Sequence, residues 1–290
     1  MQCTARGSSP FSNSELSYSG KHGRLFLEFQ KKDGKSVIGN QFFKVPLQVI
    51  SPSYLDDSGD PFVQIVNPTG GIVGGDRLEM EVVLKENSSC LLTTQSATKI
   101  YRTVGPESIQ TNRFEVRKGA RLEYLPHPII PFAGSNFLQQ TEVYLQPDSI
   151  CLMGEVITPG RSSRGESFQY KKLQSSIKVF MENRLVLLDS FLLSPAKGSL
   201  NQTGILGQYT HFGSLYAFLP DFPGEFLVHL NQGLLSRPEQ YAGATRLQTS
   251  GFMARILGNR TYQVQETMMW IWEEVRTKLL NLTPPFFRQY

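Results

Sequence analysis

The feature that most constrains this chain is a period-two alternation of apolar and polar residues that recurs from about residue 23 to residue 193. The segments RLFLEF (24–29), FVQIV (62–66), RLEMEVVL (77–84), CLLTTQ (90–95), IQTNRFEV (109–116), RLEYL (121–125), TEVYL (141–145), ICLMGEVI (150–157), SIKVF (176–180) and RLVLLDSFLL (184–193) all carry it. Successive side chains on a strand point to opposite faces, so each segment can bury one face. Turn signals such as SGDP, KGA, QPDS and ENR separate them. Strands about 8–12 residues apart predict a mainly β body. The 25 glycines and 17 prolines suit a chain that turns this often. No clean repeat of 20–50 residues is visible, so the pattern does not by itself demand a regular solenoid or propeller.

The last third has a different period. EFLVHLNQGLLSR (225–237) places Phe226, Leu230 and Leu234 at helical spacing, with Leu227 less regular. In TYQVQETMMWIWEEVRTKLLN (261–281), Val264, Met268, Ile271, Trp272, Val275 and Leu279 form one apolar stripe. The TPP that follows stops the helix. TRLQTSGFMARIL between them predicts a hairpin around 249–251. The expectation is a leader over 1–20 and one domain over 21–290, with a β body to about 220 and helices at about 225–237 and 261–281. The leader has no signal-peptide apolar region and is expected to be flexible.

Bulk charge excludes some functions. A net charge of +4, with no run of five basic residues, is a weak footprint for nucleic acid. No segment approaches the ~18 apolar residues of a membrane span. Three sparse cysteines, Cys3, Cys90 and Cys151, argue against a disulfide scaffold and fit a reducing, cytoplasmic address.

NPTGGIVGGDRLEMEVVL (67–84) invites a phosphate-loop reading, with Gly70, Gly71, Gly74 and Gly75 close together. A phosphate loop also needs a lysine and a helix N-terminus. Here Asp76 stands where the lysine would, and the residues after it alternate as a strand. The glycines instead predict a tight turn crossed closely by other backbone. In TTQSATKIYR (93–102), Ser96 and Lys99 suggest a nucleophile and base, but no His/Asp constellation supports them. A polar surface that lines a cavity or meets a partner is the better reading.

NPTGGIVGGDRL, LLTTQSATKIYR, LEYLPHPIIPFAGSNFLQQTEV, GRSSRGESF and the ending PPFFRQY together resemble the UreD (UreH) family of urease accessory proteins, in order, from about residue 23 to the end. The resemblance implies a β-helix-like or irregular β body with a helix pair, and a non-catalytic maturation factor. It implies binding to apo-urease and to a UreF-type accessory protein, and through the latter to a UreG-type GTPase that carries nickel. Nickel would pass through a tunnel in the β body, transiently, with no tightly bound cofactor.

Ni²⁺ accepts imidazole, carboxylate, carbonyl and water. His22, His127, His211 and His229 are isolated, so no high-affinity site is expected from local sequence. Asp76 follows the glycine turn, and Glu155 and Asp189 sit within apolar strands. The resemblance aligns these three with the family's tunnel acids and puts Thr98 and Lys99 beside the tunnel. Each acid could equally form an internal salt bridge, and Asp76 could cap its own turn. Glu123 and Glu166 are lesser candidates with structural partners close by in Arg121, Arg161 and Arg164. Gly160, Arg161, Gly165 and Glu166 are motif residues of GRSSRGESF. His127, between two prolines, reads as a rigid corner with a surface imidazole. The alternative to the maturation factor is a carbohydrate-acting or carbohydrate-binding β domain, with Glu155 and Glu166 as acid and base.

Overall fold

The computed structural model describes residues 20–237 and 239–287. Nearly all of the leader, with Cys3, and the last three residues of PPFFRQY lie outside them. In chain order the strands are β1 (His22–Lys32), β2 (Lys35–Lys44), β3 (Gln48–Val49), β4 (Ser53–Tyr54), β5 (Pro61–Val66), β6 (Arg77–Leu84), β7 (Ser89–Thr94), β8 (Thr98–Ile100) and β9 (Ser108–Val116). There follow β10 (Arg121–Tyr124), β11 (Ile129–Pro131), β12 (Asn136–Leu145), β13 (Ile150–Ile157), β14 (Lys172–Met181), β15 (Arg184–Leu193) and β16 (His211–Phe218). Helix α1 (Gly224–Leu235), the hairpin β17 (Tyr241–Arg246) and β18 (Gly251–Gly258), and helix α2 (Thr261–Lys278) complete the chain.

From β5 onward the chain alternates between two sheets and coils. β6, β9, β12 and β14 stack in parallel in one sheet, with β1 beside β6. β5, β7, β10 and β13 stack in parallel in the other. Phe62, Leu91, Glu123 and Leu152 succeed one another in register, so each coil takes about 30 residues. The result is a β-solenoid-like body. Antiparallel strands close it: β2 and β15 flank the first sheet, and β16, β18 and β17 extend the second. Among the described residues no helix is long and apolar enough to cross a membrane.

Interior and exterior are set by residue parity. Leu27, Val82, Phe114, Val143 and Val179 form one interior row through the first sheet. Cys90, Leu122, Cys151 and Phe218 form one through the second. All these residues belong to the core between the sheets. A second core lies on the opposite face of the second sheet, under α1 and α2, and takes in Phe226, Leu230, Leu234, Val264, Met268, Ile271, Trp272 and Val275. These include the apolar stripes read from the sequence. The sheet is thinned to admit α2: a Cβ on Gly154 would lie 2.7 Å from Met268 Sδ, and one on Gly213 would lie 2.6 Å from Val264 Cγ1.

One buried ion cluster fixes α2 to the coil. Glu123, 1 % exposed, accepts from Arg276 Nη1 at 2.8 and 3.0 Å, from Arg121 Nε at 3.0 Å and from Trp272 Nε1. Arg276, also 1 % exposed, donates onward to Asp56 and to the Thr283 carbonyl, and Arg121 pairs with Asp60. Glu123 is thus held by structural arginines. Arg121 is its neighbour in sequence and Arg276 comes from far along the chain.

Removing one partner from a buried pair strands the other charge, at a cost of about 3–5 kcal/mol. Arg276→Ala is therefore expected to lower unfolding free energy by about that amount in chemical denaturation. The double variant Glu123→Leu/Arg276→Met should recover most of the loss.

Candidate functional site

The glycine segment forms the corner between β5 and β6, and other backbone passes close to it. Gly70 and Gly75 adopt φ of +77° and +84°, the left-handed region that glycine enters without strain. Gly71 and Gly74 are needed for space. A Cβ on Gly71 would lie 2.6 Å from the Lys99 carbonyl oxygen, and one on Gly74 would lie 3.0 Å from that of Val104. Gly20 crosses the same corner so tightly that a Cβ there would meet the Gly75 carbonyl. Asp76 is 1 % exposed and serves this crossing. Its Oδ1 accepts from the Lys21 amide at 2.8 Å and its Oδ2 from the Val73 amide at 3.0 Å. Its carboxylate points into its own turn and clamps the incoming chain.

Behind this corner an internal cavity of about 80 Å³ runs along the coil. Its lining includes Gly70, Gly71, Ser96, Thr98 and Lys99 at one end and His127, Gln139 and Glu155 deeper in. The cavity touches two interior rows of the first sheet in which polar residues interrupt the apolar pattern, lined by Leu78, Gln110 and Gln139 of one and by Met80, Asn112, Thr141 and Ile177 of the next, and it stops short of Asp189. In full, one row reads Leu78, Gln110, Gln139, Ser175, Phe191; the next reads Met80, Asn112, Thr141, Ile177, Asp189. Facing them, the second sheet supplies Glu155, with Ser214 and Arg255 beside it in register. Gln110 donates to Asn112 at 3.1 Å, and Asn112 to Thr141 at 3.1 Å.

Glu155 is 5 % exposed. Its Oε1 accepts from Gln139 Nε2 at 2.7 Å and from Ser175 Oγ at 2.8 Å, while Oε2 has no protein partner. Burial pushes its carboxyl up to about 7, with the Ser175 bond working against that rise and the charge of Asp189 adding to it. Asp189 lies farther along the coil. It accepts from Tyr216 and pairs with Arg255, which also donates to Ser214 at 2.7 Å. Both acids thus belong to the polar layer of the coil, Glu155 with a free oxygen and Asp189 within an ion pair.

The remaining sequence candidates separate clearly. Thr98 and Lys99 line the cavity, and their backbones tie β8 to the glycine corner and to Pro128. Ser96 also lines it, and among the described residues no hydrogen bond joins its side chain to Lys99. Gly160, Arg161, Gly165 and Glu166 form a closed turn. Arg161 pairs with Glu166 and stacks 4.2 Å over Phe132, and Gly165 caps the short helical turn at φ +74°. Glu166 is not among the cavity-lining residues, so it does not flank a common groove with Glu155. Among the described residues no cluster of three or more His, Cys, Asp and Glu could hold a metal ion.

His127 departs from expectation. It is not a surface imidazole: it is 3 % exposed, its Nδ1 has no partner, and it lines the cavity. The two flanking prolines do fix the backbone, but the corner turns inward, with the His127 amide donating to Thr94 Oγ1 at 2.9 Å. Gln139, Ser175, Asn112 and Thr141 were not singled out from the sequence. Their signal was parity: each is polar at a position in phase with the apolar residues of its strand.

A model of the family described as UreD urease accessory protein matches residues 21–289. Relatives named urease accessory protein UreD are similar over almost their whole length. The Bacillus cereus protein is 31% identical over 268 residues, covering 92% of this chain and 98% of the relative. The Staphylococcus epidermidis protein is 32% identical over 271 residues with the same coverage, and that of Lachnoclostridium phytofermentans 31% over 270.

The buried carboxyl gives a signed pH dependence. An unfolded glutamate ionises near 4.5 and Glu155 near 7, so the folded state binds the extra proton between those values. Stability is unaffected by this group below about 4.5, falls as pH rises through the window, and carries the full penalty above about 7. Glu155→Gln should therefore gain on the wild type by up to roughly 3 kcal/mol between pH 5 and pH 8 in denaturant titrations.

Proposed function

Because the chain belongs to the UreD family of urease accessory proteins, we propose that it acts in urease maturation as a non-catalytic scaffold that conveys nickel through the interior of its coil. The observation that carries this reading is Glu155, a buried carboxyl with one unpartnered oxygen on an internal cavity of mixed polar and apolar lining. A conduit needs ligands good enough to admit an ion and too few to keep it. Oxygen donors spaced along a wet passage, without a cage of three or more strong ligands, meet that need.

In this reading the ion enters past Thr98 and Lys99 and is met by Glu155. A divalent cation displaces the proton that burial otherwise holds on that carboxyl. Asp189 is the next acid along the coil, and Arg255 occupies it until a cation or a partner draws the guanidinium away. Asp76 serves the route indirectly, by holding the corner that shapes the cavity.

Partners are expected to be apo-urease and a UreF-type protein, with a UreG-type GTPase reached through the latter. Both edges of the first sheet support an assembly role. Phe42 and Phe43 on β2 and Leu185, Leu188 and Leu192 on β15 are exposed, and unpaired strand edges with apolar side chains favour association. The carbohydrate reading loses its acid–base pair, since Glu166 is bound to Arg161 away from the cavity.

The test is co-expression with urease subunits and the other accessory proteins, with the complex purified and nickel counted in the urease. Glu155→Gln should assemble normally and deliver markedly less nickel; full nickel occupancy would remove Glu155 from the route. Asp76→Ala should instead reduce the yield of folded complex, since two backbone amides lose a charged acceptor worth about 1.5–3 kcal/mol each.

A further inference from the structure

Nine described residues carry a buried side-chain nitrogen or oxygen with neither a hydrogen-bond partner nor an ion pair at that atom. Only two of them line the cavity: Glu155, through Oε2, and His127, through Nδ1. Polar groups left unpartnered at such burial call for an explanation, in a water, an ion or a ligand. The family resemblance accounts for the acid. Nothing in the route as described uses the imidazole.

We propose that His127 is a nitrogen donor station on the cavity wall that makes the passage selective for Ni²⁺ and similar transition ions over Mg²⁺ and Ca²⁺. This inference rests on the reading of the cavity as a nickel route and adds its selectivity element. Carboxylate, carbonyl and hydroxyl oxygens suit hard cations as well as nickel, so the oxygen donors of the cavity alone would not exclude magnesium, whereas imidazole favours nickel, cobalt, copper and zinc. Three features prepare His127 for that role. Burial lowers the proton affinity of its ring, which keeps a nitrogen lone pair available at neutral pH. Pro126 and Pro128 restrict its backbone, and the amide bond to Thr94 fixes the corner, so the ring is presented without loop motion. The cavity has room for several waters, which can complete the coordination shell of an ion held by one protein ligand at a time.

X-ray absorption at the nickel edge tests this on the full chain loaded with Ni²⁺. The background is His22→Gln/His229→Gln, which silences the two histidines paired with surface glutamates. In that background the spectrum should carry imidazole scattering, and Ni²⁺ should remain bound in excess Mg²⁺. Adding His127→Gln should abolish the imidazole signature. It should weaken Ni²⁺ by at least the 10–100-fold typical of losing even an outer-shell partner, with Mg²⁺ binding unchanged. A melting curve confirms folding, and His127→Asn serves as the second variant. Imidazole scattering and Ni²⁺ preference that persist in both variants overturn the proposal. Bound Ni²⁺ with oxygen ligands only, lost in Glu155→Gln, also overturns it and leaves the route intact. A chain that binds no Ni²⁺ at all removes both.

Discussion

Parallel registry from coil to coil is the constraint on which the rest of this molecule depends. Once β6, β9, β12 and β14 stack in register, every interior position shares a row with its counterparts above and below. A polar side chain in such a row must find its partners within the row or across the core, because water does not reach it. Asn112 meets Thr141 and Gln110, and Gln139 and Ser175 meet Glu155. Polarity in one coil therefore propagates along the axis. This is how a body closed by apolar rows at one end of its strands keeps a hydrogen-bonded polar layer at the other.

A corner and a face of the coil are secured by different means. At the glycine corner, β1 and the segment before it cross the β5–β6 connection at backbone contact distance, and Asp76 holds both with one carboxylate. On the helix side, Glu123 and Arg276 hold α2 against the second sheet across an otherwise apolar interface. Neither carboxylate is spare: both are consumed by the fold. Glu155 differs in kind, since half of its hydrogen-bonding capacity has no use within the chain.

Much of this was legible in the sequence, and the omissions have a common physical origin. An alternating strand such as Arg77–Leu84 and a continuous apolar run such as Ile150–Ile157, buried on both faces, were readable to the residue. β12 and β14 were read too short at their starts, over Asn136–Leu145 and Lys172–Met181. The unread parts hold Gln139 and Ser175, where polar residues occupy interior positions and erase the pattern. In these two strands the pattern faded at the polar interior positions, whereas β9 and β13 kept enough apolar residues to be read through the cavity. The central strand His211–Phe218 was missed because glycine and serine interrupt it, with Gly213 making room for α2 and Ser214 facing the polar layer. His127 was misjudged because a histidine between prolines resembles a surface corner, and only the fold turns it inward.

We propose that nickel moves through the interior of the coil rather than over its surface. The most direct measurement is nickel per urease active site after co-expression with a chain whose cavity is narrowed at its mouth by Thr98→Met. The control is an equally large change on the outer face of the first sheet, Thr111→Met. Passage through the interior requires intact complexes in both cases, with nickel low for Thr98→Met and normal for Thr111→Met. Normal nickel with the mouth narrowed, in a complex that assembles fully, would contradict it.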